Sequence, residues 1–114
     1  MSKRYKILFD KSHPTKLTIV DNISGSTLHV ASYVFGRQDT HTEKEFLSNI
    51  SRVQAGIESN IRFDIEDDYF AEISIGETVL RNDNTSNPNY NIDSIPTAAL
   101  VELINEIIKV KETV

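Results

Sequence analysis

The stretch that most constrains how this chain can fold is residues 61–80, IRFDIEDDYFAEISIGETVL. Apolar Ile61, Phe63 and Ile65 alternate with Arg62, Asp64 and Glu66, and Tyr69, Ala71, Ile73 and Ile75 alternate with Phe70, Glu72 and Ser74. Successive side chains of a strand point to opposite faces of its sheet, so a period of two marks strands with one buried face. A two-residue loop at Asp67-Asp68 would set Phe63 opposite Glu72 and mix the faces. A three-residue loop of Glu66, Asp67 and Asp68 pairs Ile65 with Tyr69, Phe63 with Ala71 and Ile61 with Ile73. A slip of one residue would turn a strand inside out, so the second register is expected.

Gly76-Glu77 suits a two-residue hairpin turn with Gly in the first central position. It would set Ile73 opposite Leu80 on the buried face and Glu72 opposite Arg81 on the outer one, with Arg62 on the other side of Glu72. Opposite charges on adjacent strands are modestly stabilising. Phe70 is then expected to be exposed beside Asp64, at the edge of an acidic tip.

Earlier in the chain, Tyr5, Ile7 and Phe9 alternate with polar neighbours as a first strand, residues 11–14 (KSHP) carry turn chemistry, and residues 16–20 make a second strand. Residues 26–35 are expected to form a third strand, central in the sheet because it is apolar on both faces, with Gly36 ending it. Thr42 and Glu45 have the spacing of a capping box. With Phe46, Ile50, Val53 and Ile57 as one apolar stripe, they predict a helix over 43–58. Residues 82–93, NDNTSNPNYNID, are expected to be a loop. A last helix is expected from about Ser94, with Pro96 in its first turn and an apolar half formed by Leu100, Leu103, Ile104 and Ile107 among others. Lys111 falls in that apolar sector, where the helix is expected to fray. The fold expected is therefore α+β: one domain over 1–114, a mainly antiparallel sheet of about six strands covered by two helices, in the order βββ-α-βββ-α.

The net charge of −5 is unevenly placed, with +2 over residues 1–60 and −7 over 61–114. Asp64, Glu66, Asp67, Asp68, Glu72, Glu77 and Asp83 hold most of it. Such a field repels nucleic acid and draws basic partners. There is no Cys, so disulfides, thiol nucleophiles and Cys-based zinc sites are excluded. The start, MSKRYKILFD, lacks the apolar core of a signal peptide, and no run approaches the roughly 20 apolar residues of a membrane span, so a cytoplasmic protein without membrane contact is expected. His13, His29 and His41 are isolated in a turn, a strand and a helix start. No HExxH, GxSxG or Gly-rich phosphate loop occurs. The carboxylates of 64–68 could in principle ligate a hard cation, but their spacing fits no calcium loop. No enzymatic activity, cofactor or metal is expected.

In its overall layout, and in the IEDDYF and IPTAALVELINEII stretches, the chain resembles the small immunity proteins of bacterial toxin systems, including contact-dependent growth inhibition. That resemblance implies a cytoplasmic protein that binds and neutralises a cognate, basic, nuclease-like toxin as a heterodimer. Asp64, Glu66, Asp67, Asp68 and Glu72, with Asp83 nearby, would then pair with toxin Lys and Arg or stand in for substrate phosphates. Phe70 and Tyr90 would be apolar anchors, aromatic residues being enriched at interfaces. The alternative is a self-associating structural or regulatory module, forming a weak homodimer through exposed strand edges.

Overall fold

The computed structural model describes residues 4–9, 16–36, 39–66, 68–87 and 91–113. The turn expected over 11–14, and with it His13, lies outside them, as do Asp67 and Tyr90. Among the described residues the fold is α+β, with six antiparallel strands in two sheets and three helices.

The smaller sheet pairs β1 (Tyr5–Phe9) with β2 (Leu17–Asp21), setting Ile7 opposite Ile19 and Phe9 opposite Leu17. Asp21 closes the following turn, its carboxylate accepting from the Ile23 amide at 2.9 Å. The chain then returns along the free edge of β2, as a third strand should: the Asp21 amide donates to Ser26 O and the Leu28 amide to Ile19 O. The ladder stops there. From His29 to Phe35 the chain is helix α1, which corrects the expected third strand and places His29 at a helix start. Val30, Ala31, Val34 and Phe35 are the buried positions, a helical stripe that imitates a strand apolar on both faces. Ser32 takes over the rest of the edge, its hydroxyl accepting from the Ile19 amide at 2.8 Å and donating to Leu28 O at 2.7 Å. Gly36 ends α1 closely packed, since a Cβ there would lie 2.7 Å from Ser32 O.

Helix α2 (His41–Gln54) starts two residues before its expected position, and the capping box does not form. Thr42 lies inside the helix, Glu45 pairs with His41, and Glu43 is buried. The helix stops before the expected Glu58 because Gly56 takes a left-handed φ of 76°. Its amide reaches Val53 O and the Ile57 amide reaches Arg52 O, closing the free carbonyls. Phe46, Ile50 and Val53 are buried as expected, but Ile57, past the stop, is 68% exposed.

The larger sheet runs β3 (Asn60–Glu66), β4 (Tyr69–Ser74), β5 (Glu77–Asn82) and β6 (Ile92–Pro96), in that spatial order and all antiparallel. Ile61 faces Ile73 and Phe63 faces Ala71, as the alternation requires, while a bulge at Ile65 brings Glu66 rather than Ile65 opposite Tyr69. The β4–β5 register differs by two residues from expectation. The turn is Ile75-Gly76, so Ile73 faces Thr78 and Leu80 faces Ala71. A shift of two leaves every side chain on its expected face, and Leu80 and Ile73 are both buried. What selects this register comes from elsewhere in the chain. The hydroxyl of buried Thr97 donates to Ser74 O at 2.6 Å and lies 2.9 Å from that of buried Thr78.

Strand β6 replaces the end of the expected loop and the expected first turn of the last helix. Its partner β5 lies on one side only, so the missing N–H of Pro96 costs nothing at this sheet edge. Helix α3 then runs Thr97–Thr113 without fraying at Lys111. Leu100, Leu103, Ile104 and Ile107 lie against the sheet with Ile73, Leu80 and Ile95. Phe46 joins the layers, its ring 5.3 Å from that of Phe35 in α1 and 4.8 Å, edge-on, from that of Phe63 in β3.

Candidate functional site

The acidic residues of the central strands divide into two groups. The first lies on the sheet face away from the helices. There Arg62 Nε donates to Asp64 Oδ1 at 3.0 Å, and Arg81 Nε donates to Glu72 Oε1. Arg62 also lies 3.9 Å over the ring of Phe70, which is only 9% exposed. The expected exposed anchor is therefore a covered one. Arginine can stack on an aromatic face while its N–H groups hold a carboxylate, and Arg62 does both. Asp64 and Glu72 face solvent with their charge already matched.

The second group gathers at the end of the sheet where β3 turns into β4. The bulge before Glu66 and the pairing of Glu66 with Tyr69 bring the carboxylate of β3 beside the first ring of β4. The Asp83 amide donates to the carbonyl of Asp68 at 2.8 Å, tying the exit of β5 to the same turn. Asn82 Oδ1 accepts from the Asn84 amide at 2.9 Å and shapes that exit. Among the described residues neither Asp68 nor Asp83 carries an ion pair. Glu66, Asp68 and Asp83 thus share one end of the molecule.

Sequence reasoning missed the aromatic half of this end. Tyr33 of α1 stacks on Tyr69 with ring centroids 4.4 Å apart and planes within 16°, and it is 52% exposed. Read as a strand residue, Tyr33 has no reason to reach Tyr69; on a helix it does. Tyr33, Glu66, Asp68, Tyr69 and Asn84 line a depression of ≈ 290 Å³. Burial pushes the Tyr69 phenol above its ordinary pKa, and the negative charges of Glu66 and Asp68 push it the same way. On its other side Tyr33 borders a groove of ≈ 840 Å³ between β1, β2 and α1, lined also by Leu8, Phe9, Lys16, Leu17 and Thr18. Leu8 is 46% exposed there.

Two further polar groups are structural. Asp93 of β6 reaches across to α1, which has no side-chain cap of its own, and Oδ2 accepts from the Ala31 amide at 2.9 Å. Burial raises its carboxyl above the usual aspartate range, outweighing the amides of Ala31 and Val30 and the charge of His29, which pull it down. Glu43 and Lys111, each 1% exposed, pair at 2.7 Å between α2 and α3. Among the described residues no group of three or more His, Asp or Glu is placed to hold a metal ion. No described helix is long and apolar enough to cross a membrane. In comparison with known proteins, no family model matches the chain, and no curated protein and no solved structure matches it significantly.

Proposed function

We propose that this protein is an immunity-type inhibitor, which neutralises a basic, nuclease-like bacterial toxin by covering it with the acidic end of the larger sheet. One observation carries the reading: Glu66, Asp68 and Asp83 converge around an exposed tyrosine pair, while the carboxylates of the open sheet face are matched by Arg62 and Arg81. Unmatched carboxylates steer a basic partner and raise the association rate, and rigid aromatic rings supply the area that slows dissociation. Asp64, Glu72 and covered Phe70 then belong to the rim at most, and the centre moves to Tyr33 and Tyr69. The test is co-expression with the toxic protein that the wild type protects against. Glu66→Lys/Asp68→Lys should lose protection while staying folded; undiminished protection would remove the acidic end from the reading.

The alternative is self-association through the open face of the larger sheet, favoured by Ile92, 40% exposed at the edge strand. Size exclusion at two concentrations separates it: a dimer lost in Ile92→Lys supports self-association.

A further inference from the structure

The depression at the acidic end is walled on one side by carboxylates and on the other by an aromatic face, and that pairing selects for more than positive charge. Carboxylates alone would define only an acidic surface. Here Tyr33 offers a half-exposed ring, already held flat by its stacking on Tyr69, and the space beside it measures ≈ 290 Å³. A planar cation can lie on the ring while its edge N–H groups reach Glu66 or Asp68 in a forked arrangement. An ammonium group, compact and strongly hydrated, can do only the second well. The chain itself shows the same arrangement on its open sheet face, where Arg62 lies over Phe70 and donates to Asp64. Across Tyr33 the surface changes to the groove with Leu8, Phe9 and Leu17, suited to an uncharged apolar side chain.

We propose that the depression is a receptor for the guanidinium group of one arginine of the partner protein, with the residue next to that arginine seated in the apolar groove beyond Tyr33. This rests on the inhibitor reading for the partner's identity, but the chemistry of the site can be tested without it. The guanidinium stacks on Tyr33, its charge is matched by Glu66 and Asp68, and Asn84 closes the rim. Lysine keeps the charge but loses the stacking plane and the fork. Citrulline keeps the shape but loses the charge.

The probe is N-acetyl-leucyl-arginine amide, with its lysine and citrulline counterparts, titrated into the full chain. The chain has four Tyr and no Trp, so the ring signals of Tyr33 and Tyr69 can be followed by NMR without a stronger aromatic chromophore. The expected result is a saturable shift of those two tyrosines, at least about fivefold tighter for arginine than for lysine, as a cation–aromatic contact would give, and no saturation with citrulline. Tyr33→Leu and Glu66→Gln/Asp68→Asn should each weaken arginine binding by about fivefold or more, while Glu72→Gln on the open face should leave it unchanged. Equal affinity for arginine and citrulline, or an unchanged affinity in Tyr33→Leu, overturns the proposal. If the arginine probe binds as described but no basic protein is ever bound, the site stands and the inhibitor reading falls. If a basic protein is bound and Tyr33→Leu does not weaken it, the reading stands and the arginine site falls.

Discussion

Removing one partner of the Glu43–Lys111 pair should be among the most damaging single changes available in this chain. Both side chains are 1% exposed, and Lys111 Nζ lies 2.7 Å from Glu43 Oε1 and 3.1 Å from Asp39 O. Each charge also sits where its helix favours it, Glu43 in the first turn of α2 and Lys111 in the last turn of α3. Glu43 Oε2 makes no hydrogen bond, so the pair contains little to absorb the loss of its cation. Lys111→Met strands a buried carboxylate at a cost of about 3–5 kcal/mol, a large share of the roughly 5–15 kcal/mol that holds a domain of this size together. In thermal unfolding that is a drop of roughly 12–20 °C. Adding Glu43→Leu should return most of it, since an apolar pair of similar volume often matches a buried ion pair, and the cycle should give a coupling energy of about 2 kcal/mol or more. Glu72→Gln is the control. Its pair with Arg81 is about half exposed and should cost no more than about 1 kcal/mol. If Lys111→Met behaves like that control, or the double variant loses the sum of the singles, the pair is not holding α2 to α3.

Asp93 predicts a pH effect. The folded state holds its proton more tightly than the unfolded chain, so its contribution to stability is full below the ordinary aspartate range and falls as pH rises through the raised folded value. Asp93→Asn should flatten that acid-side dependence in denaturant titrations, whereas Asp93→Ala should cost about 1–2 kcal/mol at every pH by leaving the Ala31 amide without its acceptor. Arg62→Ala should uncover Phe70 and cost about 0.5–1 kcal/mol in urea unfolding, with Arg62→Lys failing to restore it fully. Ile75→Asn, at an exposed turn position, should change stability by less than about 0.5 kcal/mol, while Thr78→Val should cost about 1 kcal/mol through its link to Thr97. The opposite ranking would favour a turn at Gly76-Glu77.

The strands and the long amphipathic helices were legible because their signal is local. Ile61, Phe63, Ala71 and Ile73 alternate on one face, and only one pairing of β3 with β4 buries them together. Features that depend on partners distant in sequence were not legible. Residues 26–28 do begin a third strand, but Ser32 and the packing of Val30, Ala31, Val34 and Phe35 turn the continuation into α1. β-branched and aromatic residues favour strands until a helical stripe of them finds a core. The β4–β5 turn was displaced by Thr97, and Lys111 stays helical because Glu43 meets it. Gly56 was a readable stop that the apolar spacing of Ile57 obscured. Of the candidate site, the carboxylates Glu66, Asp68 and Asp83 were visible as a charge cluster. Tyr33 was hidden by the same strand-for-helix substitution, and Phe70 could be placed under Arg62 only once a side-chain conformation was known.

The most direct measurement is affinity capture from the native lysate at low and moderate salt, with wild type beside Glu66→Lys/Asp68→Lys and the open-face control Glu72→Lys. The account predicts one basic protein recovered in stoichiometric amount with wild type and with Glu72→Lys, more readily at low salt, and lost in the acidic-end variant. Equal recovery by all three, or recovery of the chain alone, would contradict it.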